Sequence, residues 1–226
     1  TYEEACAELK RRYDGYHFVE NTEGIYNPFS LLNTFKYKKF GSYWFETGTP
    51  TYLIELLKRY HYDLEHMAHA ETYADVLNSI YGDEEPLPVI FQSGYLTIKG
   101  YNEEFDIYRL GFPNKEVESG FIKYLIPFYT PVEEEKTGFF ITNFIMDIRR
   151  GAPESFMQRM QSMFADTDYK ITGKMELYFQ NAMYLVFKML GFYTDVERTT
   201  SNGRIDIVLK TCLLYTSPSP RDRQKS

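Results

Sequence analysis

The chain has 226 residues, of which 43% are hydrophobic and 18% aromatic, and it carries a formal charge of -7. That is enough apolar material for one or two packed domains and excludes global disorder. The negative balance argues against nucleic-acid binding by the whole surface, but leaves room for a local basic groove.

In chain order, Glu3 to Tyr13 has a helical pattern that stops at the turn signal Asp14-Gly15. Asn27 is placed to cap a second helix with Pro28 at its first position, and Leu31, Leu32 and Phe35 supply its apolar face. The arrangement recurs with Thr49 and Pro50, after which Tyr52, Leu53, Leu56, Leu57 and Tyr60 fall at helical spacing. After GDEEPLP two alternating runs, Tyr95 to Lys99 and Phe105 to Leu110, flank Gly100 and Asn102 and predict a β-hairpin turning there. Asn114 then opens a helix from Lys115 to about Phe128, with Glu116 and Glu118 favourably placed for its dipole. Helix, helix and hairpin is the outline of a winged-helix unit. The charged run PVEEEKTG predicts a boundary. Helices follow over Phe139 to Arg149, Glu154 to Phe164 and Lys174 to Leu190, the last stopped by Gly191. FYTDVER and RIDIVLK read as strands joined by SNG. The expected fold class is α+β, with divisions at residues 1–85, 86–130, 131–211 and 212–226.

Cys6 and Cys212 make neither a disulfide framework nor a zinc spacing, which makes a reducing cytoplasm the expected compartment. No apolar run approaches transmembrane length, and no membrane partner is expected. Gly173-Lys174 lacks the earlier glycine of a phosphate-binding loop, so no ATP site of that kind is expected here. His61, His66 and His69 are close in sequence, but no carboxylate placement supports a metal site, and exposed helix residues are the expectation. Arg11, Arg12, Lys36, Lys38, Lys39, Lys58 and Arg59 are candidates for a basic patch that contacts DNA, although runs of this size usually line solvated helix faces.

The informative constellation is carboxyl-terminal. A helix carries Glu176, a strand carries Glu197, and the next strand carries Asp206. Helix and strand carboxylates of this kind supply the hard oxygen ligands that a divalent metal needs. Such a metal polarises a scissile phosphate and lowers the pKa of an attacking water. The plainer alternative is that Asp206 faces solvent and Glu176 is an ordinary first-turn glutamate.

The stretches YDGYHF, YNPFSLLN, YWFETGTPTYL, FQSGYLTIKGY, LGFPNKEVESGF and ELYFQNAMYLVFKMLGFYTDVERTTSNGRIDIVL cover most of residues 11–210. Together they resemble a family of bacterial proteins in which an AAA-ATPase-like region precedes a PD-(D/E)XK nuclease-superfamily domain. The resemblance implies a helical ATPase lid-like region, a winged-helix-like part and a truncated PD-(D/E)XK-type α/β domain. It assigns Asp206 and Glu176 as catalytic, metal-binding carboxylates with Mg as the cofactor and DNA as a partner. The family's next strand carries an acid, any residue and a lysine. After Asp206 the only acid is Asp222, whose spacing to Lys225 is wrong for that triplet. CLLYTSPSPRDRQKS, with its prolines and polar residues, resembles a translated sequencing-adaptor tail. On this reading the chain is an inactive fragment of an ATPase-associated nuclease. The alternative is a DNA- or protein-binding module with a non-catalytic nuclease fold.

Overall fold

The computed structural model describes residues 1–47, 51–60, 62–79, 86–130, 133, 136–165, 175–191, 193–200 and 203–210. The expectations at Thr49, Pro50, His61 and the tail 211–226 lie outside these residues. So do the side chains of residues 46, 47, 58, 175, 193–200 and 203–210.

The first helix, α1 (Tyr2–Tyr13), starts with a capping box: Thr1 Oγ1 accepts from the Glu4 N–H while the Glu4 carboxylate accepts from the Thr1 amine. After it, Gly15 takes a φ of +113°, and a Cβ there would stand 2.3 Å from the carbonyl oxygen of Pro113, so glycine alone allows the approach. Asn27 Oδ1 accepts from the N–H groups of Phe29 and Ser30 and starts α2 (Pro28–Tyr37) as its sequence predicts.

The buried face of α2 is not the expected one. Leu32 is 66% exposed and Phe35 58% exposed, while Ser30 and Thr34 point inward. The reason lies far along the chain, in the carboxylate of Glu116. A 3-10 turn at Trp44–Thr47 is followed by α3 (Thr51–Tyr60), which buries Leu53, Ile54, Leu56 and Leu57 and leaves Tyr52 exposed.

Four short elements come next: α4 (Leu64–Met67), β1 (Glu71–Tyr73), α5 (Ala74–Leu77) and α6 (Leu87–Gln92). Strands β2 (Thr97–Asn102) and β3 (Ile107–Gly111) form the predicted hairpin, with β1 on the other side of β3 in an antiparallel sheet of order β1-β3-β2. Its turn is not at Gly100–Asn102 but at Glu103–Asp106, where Asn102 Oδ1 accepts from the N–H groups of Glu104 and Phe105 and Asp106 takes a φ of 55°. Gly100 instead lies inside β2, where the register shifts between Ile98 and Gly100 and leaves Lys99 as the extra residue of a bulge. Arg109 lies across this glycine, and a Cβ at position 100 would sit 2.5 Å from its Nη2.

The body of the fold is built on α7 (Lys115–Tyr129), capped by Asn114 Oδ1, which accepts from the Val117 N–H. It packs along α10 (Met175–Met189), with α8 (Thr137–Arg149) and α9 (Pro153–Ala165) beside them. Asp147 of α8 and Arg159 of α9 are joined at 2.8 Å. One apolar cluster runs through Leu57, Ile90, Leu125, Phe144 and Leu185. Gly191, at a φ of 77°, ends α10 as expected, and β4 (Tyr193–Thr200) and β5 (Gly203–Lys210) follow as an antiparallel pair. The overall class is α+β: helices with small antiparallel sheets.

Two buried polar ties hold distant segments. Asn181 of α10 accepts from the Leu64 N–H at 3.0 Å and donates to the Tyr62 carbonyl at 2.8 Å. Glu116, expected to be well placed for the dipole of α7, is only 2% exposed. Its Oε1 accepts from the Ser30 hydroxyl at 2.9 Å and the Trp44 N–H at 3.0 Å. The serine side of α2 is inward because a buried carboxylate must be hydrogen-bonded. Burial pushes the Glu116 pKa above its ordinary value of 4.5, against the hydrogen bonds from Trp44 and Ser30.

Asn181→Ala strands a buried donor and a buried acceptor on another segment, and is expected to cost about 3 kcal/mol in a denaturant melt. Glu116 binds its proton more tightly folded than unfolded. Its contribution is therefore fully present below the unfolded-state pKa and is lost as pH rises through the raised folded one. Melting temperatures of the parent and Glu116→Gln should consequently diverge in favour of the glutamine as pH rises from acid to neutral. A constant difference would show that Glu116 is not the titrating group.

Candidate functional site

α10 places its first-turn acid, Glu176, at the surface, at the end of the helix remote from Gly191. The helix is fixed by Ala182, Tyr184, Leu185, Val186 and Phe187, all buried. The chain then turns into β4, which packs beside α10. In the β4–β5 pair Val196 faces Ile207 and Arg198 faces Ile205. Glu197 and Asp206 occupy the positions between these pairs, one on each strand. The two strand acids are thus register neighbours, and Glu176 precedes them on the adjoining helix.

Three carboxylates on a helix and two paired strands fit a magnesium ion by donor chemistry. Among the described residues, which leave out the side chains of β4 and β5, no group of three or more His, Cys, Asp or Glu gathers as a metal site. The histidines fall within that statement where they are described: the His17 ring faces the Thr22 carbonyl at 3.0 Å, and His66 and His69 are exposed.

The basic patch expected at the amino end takes a different form. Arg11 and Arg12 both pair with Glu8 and hold its carboxyl down at about 2. Arg12 also lies over the Phe40 ring and Lys36 over that of Tyr37. Lys38, Lys39 and Arg59 are exposed.

Cationic side chains gather elsewhere, in two clefts that share Lys188 near the end of α10. The first, of about 700 Å³, runs along α7 and is lined by Lys115, Lys123 and Lys188 with Phe45, Tyr124 and Leu190. Gly120 makes its wall possible, because the Phe45 ring lies where a Cβ would stand, 2.2 Å away. The second, of about 510 Å³, is lined by Lys188, Lys99, Arg109 and His69 with Glu71 and Glu118. Glu118 stands between the two clefts, 3.5 Å from Lys115 Nζ and 3.5 Å from Lys188 Nζ. Lys188 Nζ also lies 5.6 Å from the centre of the Tyr184 ring. Loss of water around the His69 ring, and then the charge of Lys188, lower its pKa below 6.5, with Glu118 acting the other way.

Sequence reading missed these residues because they come from β2, β3, α7 and α10. The one local signal is the Lys115–Glu118 spacing within a helix.

Residues 174–223 match a family model described as PD-(D/E)XK nuclease superfamily. That segment, which includes α10, β4 and β5, is nuclease-like, and the match continues into the stretch read above as adaptor-like. A protein of Azotobacter chroococcum mcd 1, described as "Uncharacterized protein in vnfD 5'region", is 32% identical over 213 residues, in a match that covers 89% of this chain. The chain spans 40% of that relative's length. No solved structure matches the chain. Among the described residues no helix is long and apolar enough to cross a membrane.

With Lys188→Gln the largest charge opposing protonation of His69 is removed. The His69 resonance followed by NMR should then titrate at a higher pH than in the parent, and an unchanged midpoint would separate the two groups.

Proposed function

We propose that the whole protein is an ATPase-associated, metal-dependent nuclease of the cytoplasm, to which this chain contributes Glu176 and Asp206 as the metal-holding carboxylates. The observation that carries the reading is the nuclease-superfamily match over residues 174–223, in which a helix with a first-turn acid leads into a hairpin with paired acids. A bound magnesium would polarise the scissile phosphate and acidify the attacking water. Glu176 and Asp206 would hold that ion, and Glu197, the register neighbour of Asp206, would add negative charge beside it. The ATPase association is supported by the motifs between Tyr13 and Phe121, which lie outside the matched segment.

A second reading, in which the nuclease fold is non-catalytic and the chain only binds, is favoured by the basic clefts, which lie away from Glu176.

The protein expressed from its complete reading frame is expected to nick plasmid DNA with magnesium and not with EDTA. Asp206→Ala and Glu176→Ala should each slow nicking by about two orders of magnitude. Nicking that survives EDTA or Asp206→Ala overturns the assignment, and no nicking under any condition leaves the binding reading in its place.

A further inference from the structure

We infer that the two clefts joined at Lys188 form one groove that binds a run of phosphates carrying a flat base, as in a nucleic-acid strand or a nucleoside triphosphate. The groove deepens the nuclease reading by naming where a substrate's backbone would run, yet none of its residues is a proposed metal ligand.

The first observation is charge. The groove gathers Lys115, Lys123, Lys188, Lys99 and Arg109 against the two carboxylates of Glu71 and Glu118, on a chain whose formal charge is -7. Glu118 is shared between Lys115 and Lys188, so it neutralises at most one of them. Among the described residues neither Lys123 nor Arg109 has an ion-pair partner, and both are exposed at the rim. An excess of positive charge in a concave site concentrates a polyanion there.

The second observation is how the cations are held. Lys99 is the extra residue of the β2 bulge, its Nζ donating to the Pro113 carbonyl at 3.0 Å. The Arg109 guanidinium lies over Gly100, 2.5 Å from where a Cβ would stand. The stem of Lys188 is largely buried, with 19% of the side chain exposed. Lys99 and Lys188 are thus positioned by the fold. Lysine binds phosphate as a point charge and arginine as a fork, and the groove supplies both.

The third observation is the apolar wall. Phe45 and Tyr124 line the same cleft as three lysines. Aromatic faces beside a row of cations are what a nucleotide unit needs, because the base stacks while the phosphates meet the charges. A cleft of about 700 Å³ also lies in the usual range for small-ligand sites. An acidic peptide would meet the charges but leave the aromatic wall without a planar partner.

The test is fluorescence polarisation of the full chain with a labelled single-stranded oligonucleotide and a labelled duplex, in EDTA so that no cleavage occurs. ATP and inorganic tripolyphosphate serve as competitors and as direct ligands in calorimetry. The parent is expected to bind at least one of these ligands, and Lys123→Gln/Arg109→Gln, both at rim positions, should weaken that binding about tenfold. For duplex the slope of log affinity against log salt should fall by about 2. Lys38→Gln/Lys39→Gln, exposed on the other basic segment, serves as the control and should bind as the parent does, with circular dichroism melts confirming that both variants fold. Oligonucleotide binding that ATP displaces only weakly identifies a strand as the occupant, and ATP binding without oligonucleotide binding identifies a nucleotide. No binding of any ligand by the parent overturns the inference, as does equal loss in the control pair. Because magnesium is absent, failure here is separate from failure of Asp206 or Glu176 to support cleavage.

Discussion

The carboxylate of Glu116 is buried at the start of α7 with two donors from elsewhere in the chain, and much of the fold's geometry depends on that burial. A carboxyl group out of water needs hydrogen bonds. It draws the Ser30 hydroxyl from α2 and the Trp44 N–H from the 3-10 turn. This sets the rotation of α2, which is why a helix with an obvious apolar stripe turns its serine and threonine inward. It also fixes where the turn at Trp44 lies, and with it the Phe45 ring over Gly120. The wall of the first cleft is therefore a downstream result of one buried acid.

α10 joins the two proposed functional regions. α10 begins with Glu176, the proposed metal ligand, and Lys188 lies near its other end in the basic groove. At 1.5 Å of rise per residue those positions are about 18 Å apart along one rigid helix. The nuclease-like segment is not an appendage, since α10 buries Leu185 and Phe187 in the same apolar cluster as Leu57 and Leu125. Asn181 adds a polar tie to the residues just before α4.

Features that depend on neighbours three or four residues away were legible in the sequence. The caps at Asn27 and Asn114, the stop at Gly191 and the order of the last helix and strands all follow from local rules. What was not legible depends on partners far along the chain. The Leu31, Leu32 and Phe35 stripe predicts burial until Ser30 finds Glu116. Gly100 has the composition of a turn, but it pairs with Arg109 of the facing strand, whose guanidinium lies over it. β1 has three residues, too few for a period to show. The amino-terminal basic run looked like a binding patch, yet Glu8 stands at helical spacing from both Arg11 and Arg12, a signal present in the sequence. The cations of the groove come from four elements, and no spacing announces them. Of the proposed metal site, the sequence conveys the order of Glu176, Glu197 and Asp206, and the strand pairing adds that the last two are register neighbours.

The long reach of the polar ties has a consequence for how the chain acquires its shape during synthesis. Trp44 and Glu116 are 72 residues apart, Ser30 and Glu116 are 86, and Asn181 stands 119 from Tyr62. Helices α1 and α2 have their local caps as soon as they are made, but Glu116, which accepts from Ser30, is translated 86 residues after it. α4 waits longer still, until α10 has been translated. Loop closure over such separations is slow, so these ties are expected to form late. Leu32 and Phe35 face solvent in the finished molecule, so no burial of theirs waits on these ties.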